Sequence, residues 1–285
     1  MMVSIVIPTY NEEDNVVPLS KELINLFDTE LKRYSYEIVF IDNYSTDTTR
    51  PLIEKLCASN YNIKAIFNSK NFGPFKSPYY GLCQVTGDCA ILLCADFQDP
   101  IEMIPEFISE WEKGYKIVSG IKSSSKENFV MYSFRSLYYK IIKKLSVVEQ
   151  IEHFTGFGLY DEKFLDVLRK LDDPTPFLRG IVAELGFNRK ELYYEQQNRR
   201  FGKSSYSLYK LYDAAMLSFT SYTTIGLRVA TIVGMLLSCL VFFIGVVYLV
   251  LKIVFWERFQ AGLAPALIGV FFIGSVQLFF IGLLG

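Results

Sequence analysis

The sequence predicts an α/β domain on a mainly parallel sheet, followed by interfacial helices and two transmembrane helices. Three observations predict it. Short apolar runs alternate with helical patterns through the first part of the chain, which is the signature of βαβ units. Charges are dense and mixed before about Ile225, then thin to Arg228, Lys252, Glu257 and Arg258. Two runs without any charge, Val229 to Leu251 and Ala261 to Gly285, are each long enough to cross a hydrocarbon core of roughly 30 Å as a helix. A buried helical hairpin in a soluble protein is the alternative for those runs, though two of them exceed ordinary core helices.

Val3-Ser4-Ile5-Val6-Ile7 is an apolar run stopped by Pro8 and reads as a buried strand. The polar stretch Asn11 to Asn15 leads into a helical pattern through Leu19, Leu23, Ile24 and Leu26. Glu37 to Ile41 is a second strand ending in Asp42, and Thr46 to Cys57 a second helix with Asp47 in its capping turn. Ile63 to Phe67 is a third strand, and Pro78 to Val85 a helix closed by Gly87. Ala90 to Leu93 is a fourth strand, followed by Cys94-Ala95-Asp96-Phe97-Gln98-Asp99-Pro100. Ile104 to Trp111 is helical and stops at Gly114, and Lys116 to Gly120 is a fifth strand.

In open parallel sheets, ligands bind beyond the carboxyl ends of the strands. That rule selects the places where acids sit: Glu12 after the first strand, Asp42 after the second, Asp96 and Asp99 after the fourth. Acids also cap helices, which could account for Glu12 or Asp47 alone but not for the whole set. No GxGxxG follows the first strand and no GxxxxGK[ST] occurs, so a dinucleotide fold or a P-loop is unsupported. Carboxylates at a nucleotide site need a cation between them and the phosphates, which a hard divalent metal would supply.

The 285 residues carry a net charge of −1, which argues against nucleic acid as the main partner. The mean hydropathy of +0.24 is too apolar for an ordinary soluble domain, while 21% charged residues is too many for membrane spans alone. Five cysteines without a CxxC indicate neither a disulfide framework nor a zinc site, and free thiols suit a reducing compartment. A single histidine, His153, excludes histidine-rich metal sites. The sequon Asn43-Tyr44-Ser45 reads as accidental, and Met1 to Tyr10 lacks the basic region of a signal peptide.

Two basic segments precede the apolar runs. Tyr132 to Ser146 places Arg135, Lys140, Lys143 and Lys144 among apolar residues at helical spacing, as in a helix on a membrane surface or a solvated charged face. Arg199-Arg200-Phe201-Gly202-Lys203-Ser204-Ser205-Tyr206 has the guanidinium and hydroxyl content of a phosphate site; a generic anchor to anionic lipid would look similar. Ser207 to Thr224 suits an interfacial helix. Basic residues before the first span outnumber those between the spans, so the positive-inside rule places the large domain in the cytoplasm. The expected domains are residues 1–203, 204–226 and 227–285.

Several segments together resemble a known family. Ile5-Val6-Ile7-Pro8-Thr9-Tyr10-Asn11-Glu12-Glu13 is similar to the opening of inverting family-2 glycosyltransferases with a nucleotide-sugar-binding (GT-A) fold. Asp42-Asn43-Tyr44-Ser45-Thr46-Asp47 resembles their Asp-Asp-Gly-Ser-x-Asp motif. Asn71-Phe72-Gly73 with Gly81 and Gly87-Asp88 resembles a third stretch. Ala95-Asp96-Phe97-Gln98-Asp99-Pro100-x-Glu102 is similar to Asp-Ala-Asp-Leu-Gln-Asp-Pro-Pro-Glu, and Arg199-x-x-Gly202-x-Ser204-x-Tyr206 to an Arg-x-x-Gly-x-Ser-x-Tyr signature. With two C-terminal spans, the pattern resembles the polyisoprenyl-phosphate glycosyltransferases, GtrB-like and dolichyl-phosphate mannose synthase-like, over essentially the whole chain.

The resemblance implies transfer of one sugar from a nucleotide diphosphate donor to the phosphate of a membrane polyprenol, undecaprenyl phosphate in a bacterium. It implies that Pro8, Tyr10, Glu12 and Asp42 hold the nucleoside, and that Asp96 and Gln98 ligate Mg²⁺ or Mn²⁺ with Asp99 orienting that catalytic site. It implies that Arg135, Arg179, Arg199 and Ser204 grip the acceptor phosphate. UDP-glucose is the first expected donor and UDP-N-acetylglucosamine the next. Similar enzymes include a tetramer, so a homo-oligomer is an expected assembly. Similar chains also continue past the second span into a basic tail, so a longer protein is expected here.

The departures from the pattern carry chemistry. Asn43 and Tyr44 replace Asp and Gly, and Pro74 stands where Lys is usual. Cys94 occupies the first acid of Asp-Ala-Asp, and a neutral thiol is a poor ligand for a hard cation. The metal would then rest on Asp96, Gln98, diphosphate oxygens and water. Phe157 stands where many relatives carry an Asp suggested as a base. Two other readings stay open: a non-catalytic nucleotide-binding membrane scaffold, and a processive polysaccharide synthase, faintly signalled by Gln196-Gln197-Asn198-Arg199-Arg200.

Overall fold

The computed structural model describes residues 1–124, 151–171, 173, 175–201, 216, 225–255 and 263–284. Arg135, Ser204 and the basic segment Tyr132 to Ser146 lie outside the described residues, as does most of the predicted interfacial helix. The chain divides into two compact units, one carrying the sheet and one carrying the two C-terminal helices.

The sheet unit is built from β1 (Met2–Thr9), α1 (Val16–Thr29), β2 (Ser35–Asp42), α2 (Thr49–Ser59), β3 (Ile63–Phe67), α3 (Gly73–Gln84) and β4 (Cys89–Leu92). A short 3₁₀ turn (Ile101–Met103) leads to α4 (Ile104–Glu112) and β5 (Ile117–Ser124). Then come β6 (Phe154–Asp161), α5 (Glu162–Leu171), α6 (Leu178–Glu184) and β7 (Arg189–Glu195). The sheet order is β3-β2-β1-β4-β6-β5-β7. Among the described residues, every pairing is parallel except those of β6, which runs against both β4 and β5.

The core explains the register. Alternate side chains of β1 enter opposite layers: Ile5 and Ile7 pack with Leu19, Leu23 and Phe27 of α1, while Val6 packs with Leu82 of α3. A sheet covered on both faces needs strands apolar on both faces, hence the unbroken runs read in β1, β2 and β4. The spacing Leu19, Leu23, Leu26 and Phe27 gives α1 its single buried stripe.

The sequence reading did not identify β6, α5, α6 or β7. Gly156 and Gly158 break the apolar pattern of Phe154–Asp161 and resemble turn residues. Tertiary pairing requires one of them: a Cβ on Gly158 would lie 2.4 Å from the Val118 carbonyl oxygen on β5. β7 is an edge strand, and its Arg189, Lys190 and Glu191 hide the pattern.

In the second unit, α7 (Ile225–Val254) and α8 (Leu263–Leu284) pack together. The Ser238 hydroxyl donates to the Ser275 carbonyl at 2.8 Å, which satisfies a hydroxyl among apolar groups. Among the described residues, Thr231–Val254 is one helix long and apolar enough to cross a membrane, with mean hydropathy 2.7, and Ala266–Phe280 is a shorter apolar stretch.

Candidate active site

The carboxyl ends of β1, β2 and β4 share one edge of the sheet because the three strands are parallel neighbours. The last residue of β2, Asp42, and the loops leaving β1 and β4, with Glu12 and Asp96, lie at that edge. β7 runs in the same sense, so its exit loop delivers Arg199 there too.

Glu12 is fixed from three sides. Its backbone N–H donates to the Thr49 hydroxyl at 2.9 Å, Asn15 Nδ2 donates to its Oε2 at 2.6 Å, and Arg199 Nη2 pairs with its Oε1. Burial raises the Glu12 pKa and the Asp96 charge adds to that; the Asn15 and Arg199 bonds only partly offset them. Arg199 Nη1 lies 3.9 Å from Asp96 Oδ2, so one guanidinium spans the carboxylates of two loops.

The turn after β4 is tightly specified. Gln98 N–H donates to Asp96 Oδ1 at 3.2 Å, and Phe97 between them holds a left-handed φ of 60°. Gln98 is engaged by the segment after β7: its carbonyl accepts from Gln197 N–H at 3.1 Å, and its Oε1 from Gln196 Nε2 at 3.3 Å. Asp99 is 3% exposed and accepts from the Tyr194 hydroxyl at 2.7 Å. Burial, aided by the Asp96 charge, pushes its pKa up to about 6 against the lowering effect of the Tyr194 bond.

Cys94 opens onto solvent, while protein crowds its remaining sides. That crowding, then the Asp99 and Asp96 carboxylates, raise its thiol pKa well above the ordinary range. It is therefore a neutral thiol at physiological pH. Arg179 is near enough to act electrostatically on Cys94 and Tyr160, and its guanidinium lies 6.0 Å from the Phe177 ring.

Asp42 is fully buried. Arg50 Nε donates to its Oδ2 at 2.6 Å, and Ser45 N–H donates to the same oxygen at 3.2 Å. Asn43 is a hub: its Oδ1 accepts from Asn68 Nδ2 and Phe72 N–H, and its Nδ2 donates to Asn71 Oδ1 and the Gly73 carbonyl. A carboxylate has no proton for those last two bonds, which is a physical reason for Asn at this departure from the motif. Pro8 and Tyr10 are half-buried at the end of β1.

Phe157 does not face the crevice as an acid would. It is 2% exposed, with its ring 4.9 Å from Phe107 and 5.4 Å from Tyr194. The structure thus brings Glu12, Asp96, Gln98 and Arg199 together in one contact network, with Asp99 linked to it beside Asp96. The sequence reading missed Tyr194, Asn15 and Arg50. The alternation of Leu192 and Tyr194, inward among outward polar residues, is the signal that could have found Tyr194.

The oxygen set fits a hard divalent cation held jointly with a ligand. Asp96 offers one carboxylate and Gln98 one amide oxygen. Among the described residues no group of three or more His, Cys, Asp or Glu could hold a metal by itself. Mg²⁺ in particular is held by one or two carboxylates plus substrate phosphates rather than by an all-protein cage.

Comparison with known proteins agrees with this architecture. The family model described as glycosyl transferase family 2 matches residues 4–186. A bactoprenol glucosyl transferase of Shigella phage SfX is 32% identical over 286 aligned residues, covering 100% of this chain and 93% of that protein. Mannosyl-3-phosphoglycerate synthase from Rubrobacter xylanophilus has a similar structure, with TM-score 0.52, 18% identity and 77% and 72% of the two chains covered. So does a mannosyltransferase from Pyrobaculum calidifontis solved with GDP-Man and Mn²⁺, with TM-score 0.50, 16% identity and 77% and 63% covered. The sheet domain has the GT-A fold of such enzymes.

Proposed function

This chain belongs to glycosyl transferase family 2, and on that premise we propose that it transfers one sugar from a nucleoside diphosphate donor to the phosphate of a polyprenol. The bactoprenol glucosyl transferase at 32% identity over the full chain supports a lipid acceptor and makes UDP-glucose the first donor to test, with UDP-N-acetylglucosamine next. The observation that carries the reading is the Glu12–Arg199–Asp96 contact. It sets donor-type carboxylates and an acceptor-type arginine side by side at the carboxyl edge of the sheet.

In this reading Pro8, Tyr10, Glu12 and Asp42 form the nucleoside end. Asp96 and Gln98 hold Mg²⁺ or Mn²⁺, which when bound neutralises charge on the departing diphosphate. Asp99, clamped by Tyr194, fixes the turn that aims Asp96. Arg199 and Arg179 supply positive charge for the acceptor phosphate, a role the motif match also proposes for Arg135 and Ser204. The acceptor is a phosphate monoester with a second pKa of about 6, so it is largely a dianion at neutral pH. A buried Phe157 in place of a base is then no obstacle. Positioning and charge stabilisation can carry the reaction. In-line attack on the anomeric carbon inverts it.

The apolar α7 and α8 fit a lipid acceptor, with the sheet unit on the cytoplasmic face. A panel of radiolabelled nucleotide sugars incubated with membranes tests the reading. A lipid-linked monosaccharide is expected from the full chain. Asp96→Ala is expected to lower transfer by at least about 100-fold, as loss of a key electrostatic group does. Near-normal transfer in that variant would remove Asp96 from the donor site, and no lipid product with any donor would favour a scaffold.

A further inference from the structure

Residues 196–201 touch Asp96, Phe97 and Gln98 in turn. Gln196 and Gln197 bond to Gln98, and Arg199 lies against Asp96. Arg200 completes the set: its guanidinium carbon stands 4.1 Å above the Phe97 ring, and its Nη1 pairs with Glu22 of α1 at 2.6 Å. The Arg-x-x-Gly-x-Ser-x-Tyr signature leaves Arg200 at an unspecified position.

Phe97 makes that contact informative. A bulky residue at a left-handed φ is a genuine outlier and persists only where its surroundings over-determine it. Here the ring is 3% exposed and anchored in the core beneath the turn. Arg200 covers it with a cation on an aromatic face, a contact that is attractive and directional. The strained turn and the segment after β7 therefore depend on each other for their conformation.

We propose that Arg200 is a positioning residue: by stacking on Phe97 and pairing with Glu22, it locks residues 196–201 onto the Asp96–Gln98 turn. The donor-holding carboxylate and the acceptor-holding Arg199 are thereby set as one unit, and binding at either site favours binding at the other. This rests on the donor and acceptor roles proposed above. Coupling of this kind is reciprocal and can be measured from both sides.

The test uses the full chain in detergent, with UDP or GDP plus Mg²⁺ as one probe and farnesyl phosphate as the other. In the wild type each ligand is expected to tighten binding of the other. Arg200→Ala is expected to weaken nucleoside diphosphate binding about fivefold and to bring the mutual effect close to one, the scale of a partly exposed cation–aromatic contact. Arg200→Lys, which keeps a cation over the ring, is expected to restore much of both. A residue that only stabilised the fold would lower the thermal midpoint and leave the coupling unchanged. Retention of affinity and coupling within ~2-fold in Arg200→Ala overturns the proposal, since that is the scatter of independent sites. So does a wild type that binds both probes without mutual effect. A wild type that binds neither probe overturns the donor and acceptor assignment itself.

Discussion

Glu37 illustrates how single residues fix the end of the sheet opposite the acids. It is 3% exposed, yet it is fully partnered. Ser4 Oγ donates to it at 2.6 Å, Lys64 Nζ pairs with it at 2.6 Å, and Thr86 N–H donates at 3.0 Å. Burial alone would raise its pKa, but these partners outweigh burial and hold it below its ordinary 4.5. The unfolded chain therefore takes up a proton at a higher pH than the native one. Stability is present above about 4.5 and is lost as pH falls through the lower native value. Glu37→Gln is expected to lower stability at neutral pH by about 2 kcal/mol and to flatten the acid limb. Thermal unfolding of the full chain between pH 3 and 7 would show it; an unchanged acid limb would mean that other carboxylates dominate. Tyr194 and Asn43 teach the same lesson at the site, since each is defined by what its polar atoms must donate to.

At the scale of elements, β6 decides how the sheet serves the site. It is the antiparallel strand wedged between β4 and β5, and so separates the loop of Asp96 from the strand pair that delivers Arg199. Its close approach to β5 depends on Gly158. A methyl there would sit 2.4 Å from one backbone atom and 3.2 Å from another, neither of which can rotate away. Gly158→Ala is expected to cost about 3 kcal/mol, at the upper end of overpacking effects. It should also weaken nucleoside diphosphate binding, because β5 and β7 would shift together. Unfolding and ligand titration on the same sample would test both. Stability lost with affinity intact would mean that the segment after β7 holds its place without the sheet.

Two chemistries share this one chain: a charged sheet domain and a pair of apolar helices. Only 17% of the apolar window in α7 is buried, whereas a core helix of a soluble protein would bury most of it. Leu240, near its centre, is 55% exposed. Leu240→Arg is expected to disfavour insertion by about 3 kcal/mol, and alkaline extraction of membranes would report the released fraction. Full retention would mean that this position does not face lipid. The α/β class, β1 to β5, the two apolar runs and the acids at the strand ends are all legible in the amino-acid order. These features are local: periodicity and composition encode them without reference to distant residues. By contrast, β6 and β7, the burial of Phe157, the Tyr194–Asp99 bond and the pairing of Arg199 with Glu12 emerge from long-range packing. Each depends on residues far apart in sequence, and a short-range pattern holds no information about which distant backbone will lie 2.4 Å from an added methyl or which carboxylate an arginine will meet.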